Sequence, residues 1–422
     1  MPIRKSVPAN PGHILVLGDY RQTVTVVRSL ARAGYTVTLG TDDTRSSTAL
    51  SRHVARVWSY ARGDALSSAR FCDLVELQLR AERPEFVFVV GETQLRLLSQ
   101  RAAAMDALAT WVMPRWEAVR RSFDKRSMFA LCNRLGIPTA PWTAFNGAPA
   151  WRRQAGEIGY PMVIKRCDSS AQVNGRKALI VRSPEELEEF LQNIDCDPNP
   201  GALLMQKFVT GIRHNCHIGA AGGDIVAYFE QRVVRTDELD MTGIGIEGVS
   251  VEPSANLRAW CERLTRSLGY NGIGCIQFLV DAATGEVSFL EINPRMDSTA
   301  ALPYRLGCDF PCLAVELARR QRDRATPVPE FPQSYPAGRR YHWLYGDMLS
   351  WHDARRQKLR SGVQLAAWAL RSAVVALTSH HLTWDLRDPL PTLHEFWKQF
   401  SVALGRRVKL QSSRPFIPQG RR

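Results

Sequence analysis

Four side chains near the ends of two short apolar runs are of the types that phosphate chemistry needs. Gln277 lies in Cys275-Ile276-Gln277-Phe278-Leu279, and Glu291, Asn293 and Arg295 close Val287-Ser288-Phe289-Leu290-Glu291-Ile292-Asn293-Pro294-Arg295. Both runs read as strands, and Asp281-Ala282-Ala283-Thr284-Gly285-Glu286 between them supplies turn residues, so a hairpin is expected. A period of two puts Phe289, Glu291 and Asn293 on one face, with Leu290 and Ile292 on the other. If Gln277 pairs nearby, a carboxylate and two amide oxygens converge, a donor set for a hard cation such as Mg²⁺ that shares its coordination with phosphates. Arg295 adds a fixed positive charge for a phosphate oxygen. Taken alone, Glu-x-Asn on a strand is more often a solvated face than a metal site, so the surrounding elements decide.

Those elements begin with the apolar run His13 to Gly18, helical spacing from Thr23 to Ala33, and a second strand from Tyr35 to Gly40. Strand, helix, strand in so short a span signals a parallel βαβ unit. Phe86 to Val90 and Thr110 to Met113 add strands, so residues 1–115 read as a small doubly wound α/β domain. Tyr20 and Thr23 stand where a dinucleotide fingerprint needs its second and third glycines, which argues against a Rossmann cofactor. Gly18, Asp19, Gly91 and Glu92 lie beyond strand ends, where substrates bind in open parallel sheets. Gly91-Glu92-Thr93 reads as well as a helix cap.

A helix is expected from Ser122 to Gly136, with Lys125 near its start, where the helix dipole mildly disfavours a cation. A phosphate there would explain it; a solvated lysine is the simpler account. Tyr160-Pro161-Met162-Val163-Ile164-Lys165 is a strand ending in Lys, followed by a polar loop to Lys177, the strand Ala178 to Val181, and a capped helix from Ser183-Pro184. Leu203 to Gly211, His214 to Ala220 and Ile225 to Phe229 have the texture of an antiparallel meander. Ser254 to Leu268 reads as a helix stopped by Gly269. After Ala318 comes a Pro-rich linker or cover strand, Ala325 to Gly338. Leu359 to Leu377 is helical, with Val363, Ala366, Ala367, Leu370, Val374 and Leu377 on one side and Arg360, Gln364 and Arg371 on the other. Packing on the body or on a dimer partner is the commoner use of such a side; an anionic membrane surface is the alternative. Asp385 to Glu395 reads as a closing loop and helix start.

At 422 residues, 45% hydrophobic and 23% charged, the chain is an ordinary globular sequence with room for two or three domains. Its net charge of +14 suits polyanions in general. The densest basic clusters, Arg319-Arg320, Arg339-Arg340, Arg355-Arg356 and Arg421-Arg422, are scattered and accompany no recognition motif, so no nucleic-acid partner is expected. Nine cysteines, the closest pair being Cys308 and Cys312, give neither a zinc framework nor a disulfide scaffold and fit a reducing cytoplasm. Met1 to Ser6 opens no signal peptide, and no apolar run approaches the ~20 residues of a spanning helix.

In this order the motifs resemble the ATP-grasp superfamily, most closely the ATP-binding halves of carbamoyl-phosphate synthetase and predicted carboxylate-amine ligases. The likeness covers about residues 12 to 318. It implies an ATP-grasp fold of α/β and α+β type: a pre-ATP-grasp domain (1–115), an ATP-grasp domain (116–320) with a lid at about 140–205, and a helical extension (321–422). By the same resemblance Lys125 and Lys165 are nucleotide contacts, Gln206, Lys207, Phe208 and Val209 form the adenine hinge, and Gln277, Glu291 and Asn293 hold Mg²⁺ or Mn²⁺. Asn293-Pro294-Arg295 with Ser298-Thr299-Ala300-Ala301 and Gly307 to Pro311 continues the likeness. Arg295 would stabilise the transferring phosphoryl group and Arg232 the substrate or acylphosphate. The implied activity is ATP-dependent activation of a carboxylate for attack by an amine. Lys207 and His214 stand where these relatives usually carry acids, His214 at the ribose contact, which puts ribose binding in question. A nucleotide-binding regulator without catalysis and a basic docking scaffold are the rival functions.

Overall fold

The computed structural model describes residues 12–43, 45–60, 67–168, 172–175, 178–194, 197, 199–238, 241 and 243–403. The expectations placed on Met1 to Ser6, on Lys177 and on Arg421-Arg422 lie outside them.

Strands β1 (His13–Leu17), β2 (Thr36–Thr41), β3 (Arg56–Ser59), β4 (Phe86–Val89) and β5 (Thr110–Val112) form a parallel sheet of order β3-β2-β1-β4-β5. Strand β4 and all of β1 after His13 are apolar because both sheet faces are covered by helices. The connection reverses direction between β1 and β4, which opens a crevice beyond their C-terminal ends. Gly18 and Gly91 follow those strands; Gly18 has φ +97, and a Cβ on it would lie 2.8 Å from the Gly91 nitrogen. Only glycine lets the two loops meet so closely.

A second sheet holds β6 (Trp142–Ala144), β7 (Met162–Arg166), β8 (Ala178–Val181) and β9 (Leu203–Lys207) in the order β6-β9-β7-β8. Met162, Ile164, Leu203 and Met205 bury one face around Trp151 of helix Ala148–Ile158. Alternation leaves Val163, Lys165 and the cross-strand Gln206 on the other.

The third sheet contains β10 (Ile212–Ala221), β11 (Asp224–Thr236), β12 (Gly245–Ser250), β13 (Gly272–Val280), β14 (Val287–Asn293), β15 (Arg340–His342) and β16 (His380–His381), in the order β14-β13-β10-β11-β12-β15-β16. Cys216, Ile218, Ile276 and Phe278 pack on helix Ala255–Leu268, whose start Ser254 caps and whose end Gly269 terminates in the left-handed region. The opposite face packs through Phe229 and Ile273 on helix Phe310–Arg322 and the N-terminal sheet.

Three expectations change. The hairpin carries a bulge: Gln277 pairs with Glu291, but Phe278 pairs with Phe289, so Leu290 is the extra residue. The bulge turns Phe289 into the core beside Phe278, ring centroids 5.9 Å apart, and away from the face of Glu291 and Asn293. The helix expected from Ser122 is two, Trp116–Phe123 and Lys125–Arg134, broken at an extended Asp124 whose carboxylate caps the second. In helix Gly362–Thr378 the apolar side does not pack on the body. Val363, Leu370 and Leu377 are 81, 70 and 89% exposed, and the body is met instead by Leu365, Trp368, Ser372 and Val375.

The extension is clamped to the N-terminal domain by a buried ion pair. Arg28 Nε donates to Asp388 Oδ2 at 2.8 Å, Arg28 also donates to the Thr383 and Asp388 carbonyls, and Ser51 donates to the same carboxylate. Both charged side chains are at most 3% exposed. Removing one partner strands the other charge, so Asp388→Ala is expected to cost about 3 kcal/mol or more of stability in urea unfolding.

Candidate functional site

Lys165 is the last residue but one of β7, on the face turned from the Trp151 core. Its Nζ donates to Gln206 Oε1 at 2.7 Å and lies 4.9 Å over the Phe129 ring. Burial, helped by the neighbouring Lys125, lowers its pKa to about 7, with Glu291 acting the other way. Lys125 is the first residue of its helix, and its N–H donates to the Cys167 carbonyl at 3.0 Å, tying that helix to the end of β7. Burial lowers its pKa too, against Glu291, Glu92 and Asp168. Both desolvated cations face Glu291, and Lys125 faces Glu92 and Asp168 as well; two cations held together in this way suit an anionic ligand.

The Glu291 carboxylate belongs to a row of polar groups on one face of the large sheet. Cross-strand register aligns Gln231, Asn215, Gln277 and Glu291, with Asn293 two residues on. Asn293 Nδ2 donates to Glu291 Oε1 at 2.9 Å, and Gln277 and Asn293 are 5 and 9% exposed. Oxygens of this kind, held side by side, fit a hard divalent cation. Arg295 Nη2 reaches Glu92 Oε2 at 3.0 Å; Glu92 in turn pairs with Arg96 at 3.1 Å, and Arg96 with Asp168 at 2.6 Å. Burial works against the Glu92 carboxylate, but Arg295 and Arg96 outweigh it and hold it at about 2. The helix-cap reading of Gly91-Glu92-Thr93 changes accordingly: Gly91 is the cap, without a side-chain bond, and Glu92 anchors Arg295 across the crevice.

At the hinge, Gln206 also donates to the Ala140 carbonyl. Lys207 Nζ is turned to the Tyr160 carbonyl at 3.0 Å, and the Lys207 and Phe208 amides donate to Pro141 and Pro161. Val209 follows, half-buried. A groove of about 420 Å³ lined by Pro161, Ile180, Arg182 and Phe208, mostly apolar, opens beside the hinge.

Two expected residues are not brought to this place. His214 and Arg232 pair with each other on the reverse face of the sheet from Gln277. There His214 Nδ1 lies 2.7 Å from Glu230 Oε1, and the Glu230 carboxylate also accepts from the Tyr228 hydroxyl and the Ser254 amide. Arg232 is exposed. By strand alternation Arg213 takes the site face that His214 lacks.

Three further residues gather beside the loop Arg295 to Thr299. Arg21 donates to the Ser298 and Gly245 carbonyls at 3.1 and 3.2 Å and stacks 4.1 Å from the Trp343 ring. Arg213 donates to the Gly243 carbonyl at 2.9 Å. Tyr341 is fully buried, its hydroxyl 2.7 Å from where a Cβ on Gly245 would sit. Arg21 Nη1, Arg213 Nε and the Tyr341 hydroxyl are buried with no hydrogen-bond partner among the described residues. The signal for Arg21 was its position in the loop after β1 at the sheet's switch point; nothing local marks Tyr341. Next to them His217, Cys275 and Asp297 are buried within 4.8 Å of one another. Asp297 already accepts from Thr299 and Asn215, and His217 lies 2.9 Å from Gln231, so the carboxylate and the imidazole are engaged within the protein.

Residues 124–319 match the family described as Carbamoyl-phosphate synthase L chain, ATP binding domain. The chain is 26% identical over 220 residues to the carbamoyl phosphate synthase large chain of Thermus thermophilus, covering 50% of this chain and 20% of that protein. It is 27% identical over 214 residues to the mitochondrial pyruvate carboxylase of Rattus norvegicus, covering 47% and 18%. It thus spans about a fifth of the length of these curated relatives. Among solved structures, the biotin carboxylase of Campylobacter jejuni superposes with a TM-score of 0.62 at 17% identity, covering 78% of this chain and 74% of that one. N5-carboxyaminoimidazole synthetase from Staphylococcus aureus, complexed with ADP, gives 0.60 at 13% identity, covering 79% and 82%. Residues 124–319 thus resemble the ATP-binding domain of carbamoyl-phosphate synthase, and the chain shares the fold of the biotin carboxylase and N5-carboxyaminoimidazole synthetase structures.

Proposed function

We propose that this chain is an ATP- and Mg²⁺-dependent ligase that activates a small carboxylate as an acylphosphate for attack by an amine or similar nucleophile. The observation that carries the reading is Lys165: a buried ammonium, bonded to a neutral amide and facing Glu291, is stabilised by a ligand phosphate. The ADP and MgADP complexes of solved structures with this fold agree with it. Gln277, Glu291 and Asn293 would hold the cation, which when bound supplies charge neutralisation at the phosphates. Lys125 and Lys165 would bind phosphate oxygens, the groove at Phe208 the base, and Arg295, fixed by Glu92, the charge developing on the transferred group. In the first step a substrate carboxylate oxygen bonds to the γ-phosphorus and ADP leaves. In the second the amine nitrogen bonds to the acyl carbon, phosphate leaves and the nitrogen loses a proton. Arg232, exposed on the reverse face, takes no part in this reading.

The carboxylate is assigned to Arg21, Arg213 and Tyr341, whose unpartnered donors sit beside the Arg295 loop. Burial lowers the Arg21 pKa to about 10, and an anion would offset that cost. Arg21→Gln is therefore expected to raise the KM for the carboxylate about tenfold or more while leaving the KM for ATP nearly unchanged. The reading itself is tested by incubating the protein with ATP, Mg²⁺ and panels of amino acids, small carboxylates and amines. ADP and phosphate released only with a cognate pair support it; AMP with pyrophosphate overturns it, and ATP binding without any stimulated turnover favours a silent regulator.

A further inference from the structure

We propose that helix Gly362–Thr378 docks flat on an anionic phospholipid surface. At 100° per residue, Val363, Ala366, Ala367, Leu370, Ala373, Val374 and Leu377 fall within an arc of about 120°. All seven are apolar and all seven are exposed. The helix is fixed in this orientation from behind: Trp368 Nε1 and the Ser372 hydroxyl donate to the buried Asp347 carboxylate at 2.7 and 2.6 Å, and Leu365 and Val375 are buried. A capping box at Ser361 and Gln364 holds its start. The helix is thus apolar on two sides, and packing among the described residues accounts for only one of them.

Charge selects the occupant. From Ala354 to Trp384 the sequence carries Arg355, Arg356, Lys358, Arg360 and Arg371 and no Asp or Glu. Arg371 pairs with Glu247, whereas Arg355, Arg356, Lys358 and Arg360 are exposed at the start of the helix beside Leu359, itself 53% exposed. An exposed apolar face preceded by a cluster of exposed cations is the composition of an interfacial helix on anionic lipid. A second copy of the helix fits less well. At 17 residues it is about 25 Å long and ~10 Å wide, a footprint of about 250 Å² against the roughly 800 Å² per partner of a standard interface. No helix among the described residues is long and apolar enough to cross a membrane, so contact would be with the surface.

The test is co-sedimentation of the full chain with vesicles of equal parts phosphatidylcholine and phosphatidylglycerol, and with vesicles of phosphatidylcholine alone. The protein is expected to pellet with the anionic vesicles, less with the neutral ones, and to be released as salt rises. The double variant Leu370→Glu, Leu377→Glu should bind about tenfold more weakly or worse, with its circular dichroism and melting temperature unchanged because neither side chain packs on the body. Arg356→Glu with Arg360→Glu should weaken only the anionic preference. Wild-type protein that stays in solution with both vesicles, or a leucine variant that pellets as well as wild type, overturns the proposal. So does a vesicle-free dimer seen by analytical ultracentrifugation that the leucine variant abolishes, which would assign the face to a second copy.

Discussion

Glu291→Ala is expected to lower Mg²⁺-dependent release of ADP by about a thousandfold or more while changing stability by no more than about 1 kcal/mol. The asymmetry follows from where the side chain sits. Glu291 is only half-buried and its side-chain bond is to Asn293 at 2.9 Å, so truncation opens no core cavity. Yet it is the carboxylate that opposes the desolvation of both Lys125 and Lys165 and the one anionic oxygen donor in the row that runs from Gln231 to Asn293. Glu291→Gln separates charge from shape, because the isosteric amide keeps an oxygen for Asn293 and loses only the charge. Both variants should fail in turnover, read as ADP release against Mg²⁺ concentration, and both should melt near the wild-type temperature. Undiminished turnover in the alanine variant would remove the metal assignment.

What could be read from the sequence was whatever depends on local pattern. Apolar runs bounded by Gly and Pro placed β1, β4, β7 and β14, and the order of Lys125, Lys165, Gln277, Glu291 and Asn293 along the chain carried the resemblance to the ATP-grasp superfamily. Strand β3 was missed because Arg56, Val57 and Ser59 are exposed at a sheet edge and carry no apolar alternation. The bulge at Leu290 was missed because nothing in Val287 to Asn293 interrupts the period; only pairing with β13 reveals that Phe289 and Glu291 face opposite ways. Face also decides the fate of His214 and Arg232. Each is a suitable residue on a suitable strand, but one step of register sends both to the reverse side, where Glu230 takes up the histidine. Contacts between distant segments were the least legible. Arg21 meets the Ser298 carbonyl across 277 positions of sequence and Arg28 meets Asp388 across 360, and no local signal announces either partner. The helix at Gly362 is the reverse case: its apolar side was evident, but the side it turns to the body is set by Asp347, which binds Trp368 and Ser372.

The second large effect is a pH dependence of nucleotide affinity that Lys165 imposes. In the ligand-free protein burial, with Lys125 beside it, brings this ammonium down to about 7, and a bound phosphate raises it again by supplying the missing anion. Nucleotide therefore binds the protonated form more tightly. Below about pH 7 Lys165 is already charged and contributes no slope; above it, each pH unit should weaken ADP binding by up to about tenfold, until the pKa of the complex is passed. Binding near neutrality should accordingly take up a fraction of a proton, measurable by calorimetry in buffers of different ionisation heat. The terminal phosphate of ADP loses its own last proton in the same range and strengthens binding as it does so, which is why Lys165→Arg is the necessary comparison. Arginine stays charged throughout, so the variant should bind ADP with a flat or gently rising affinity where the wild type falls. Parallel profiles for the two proteins would show that Lys165 does not titrate near neutrality, and would leave the phosphate contact to Lys125 alone.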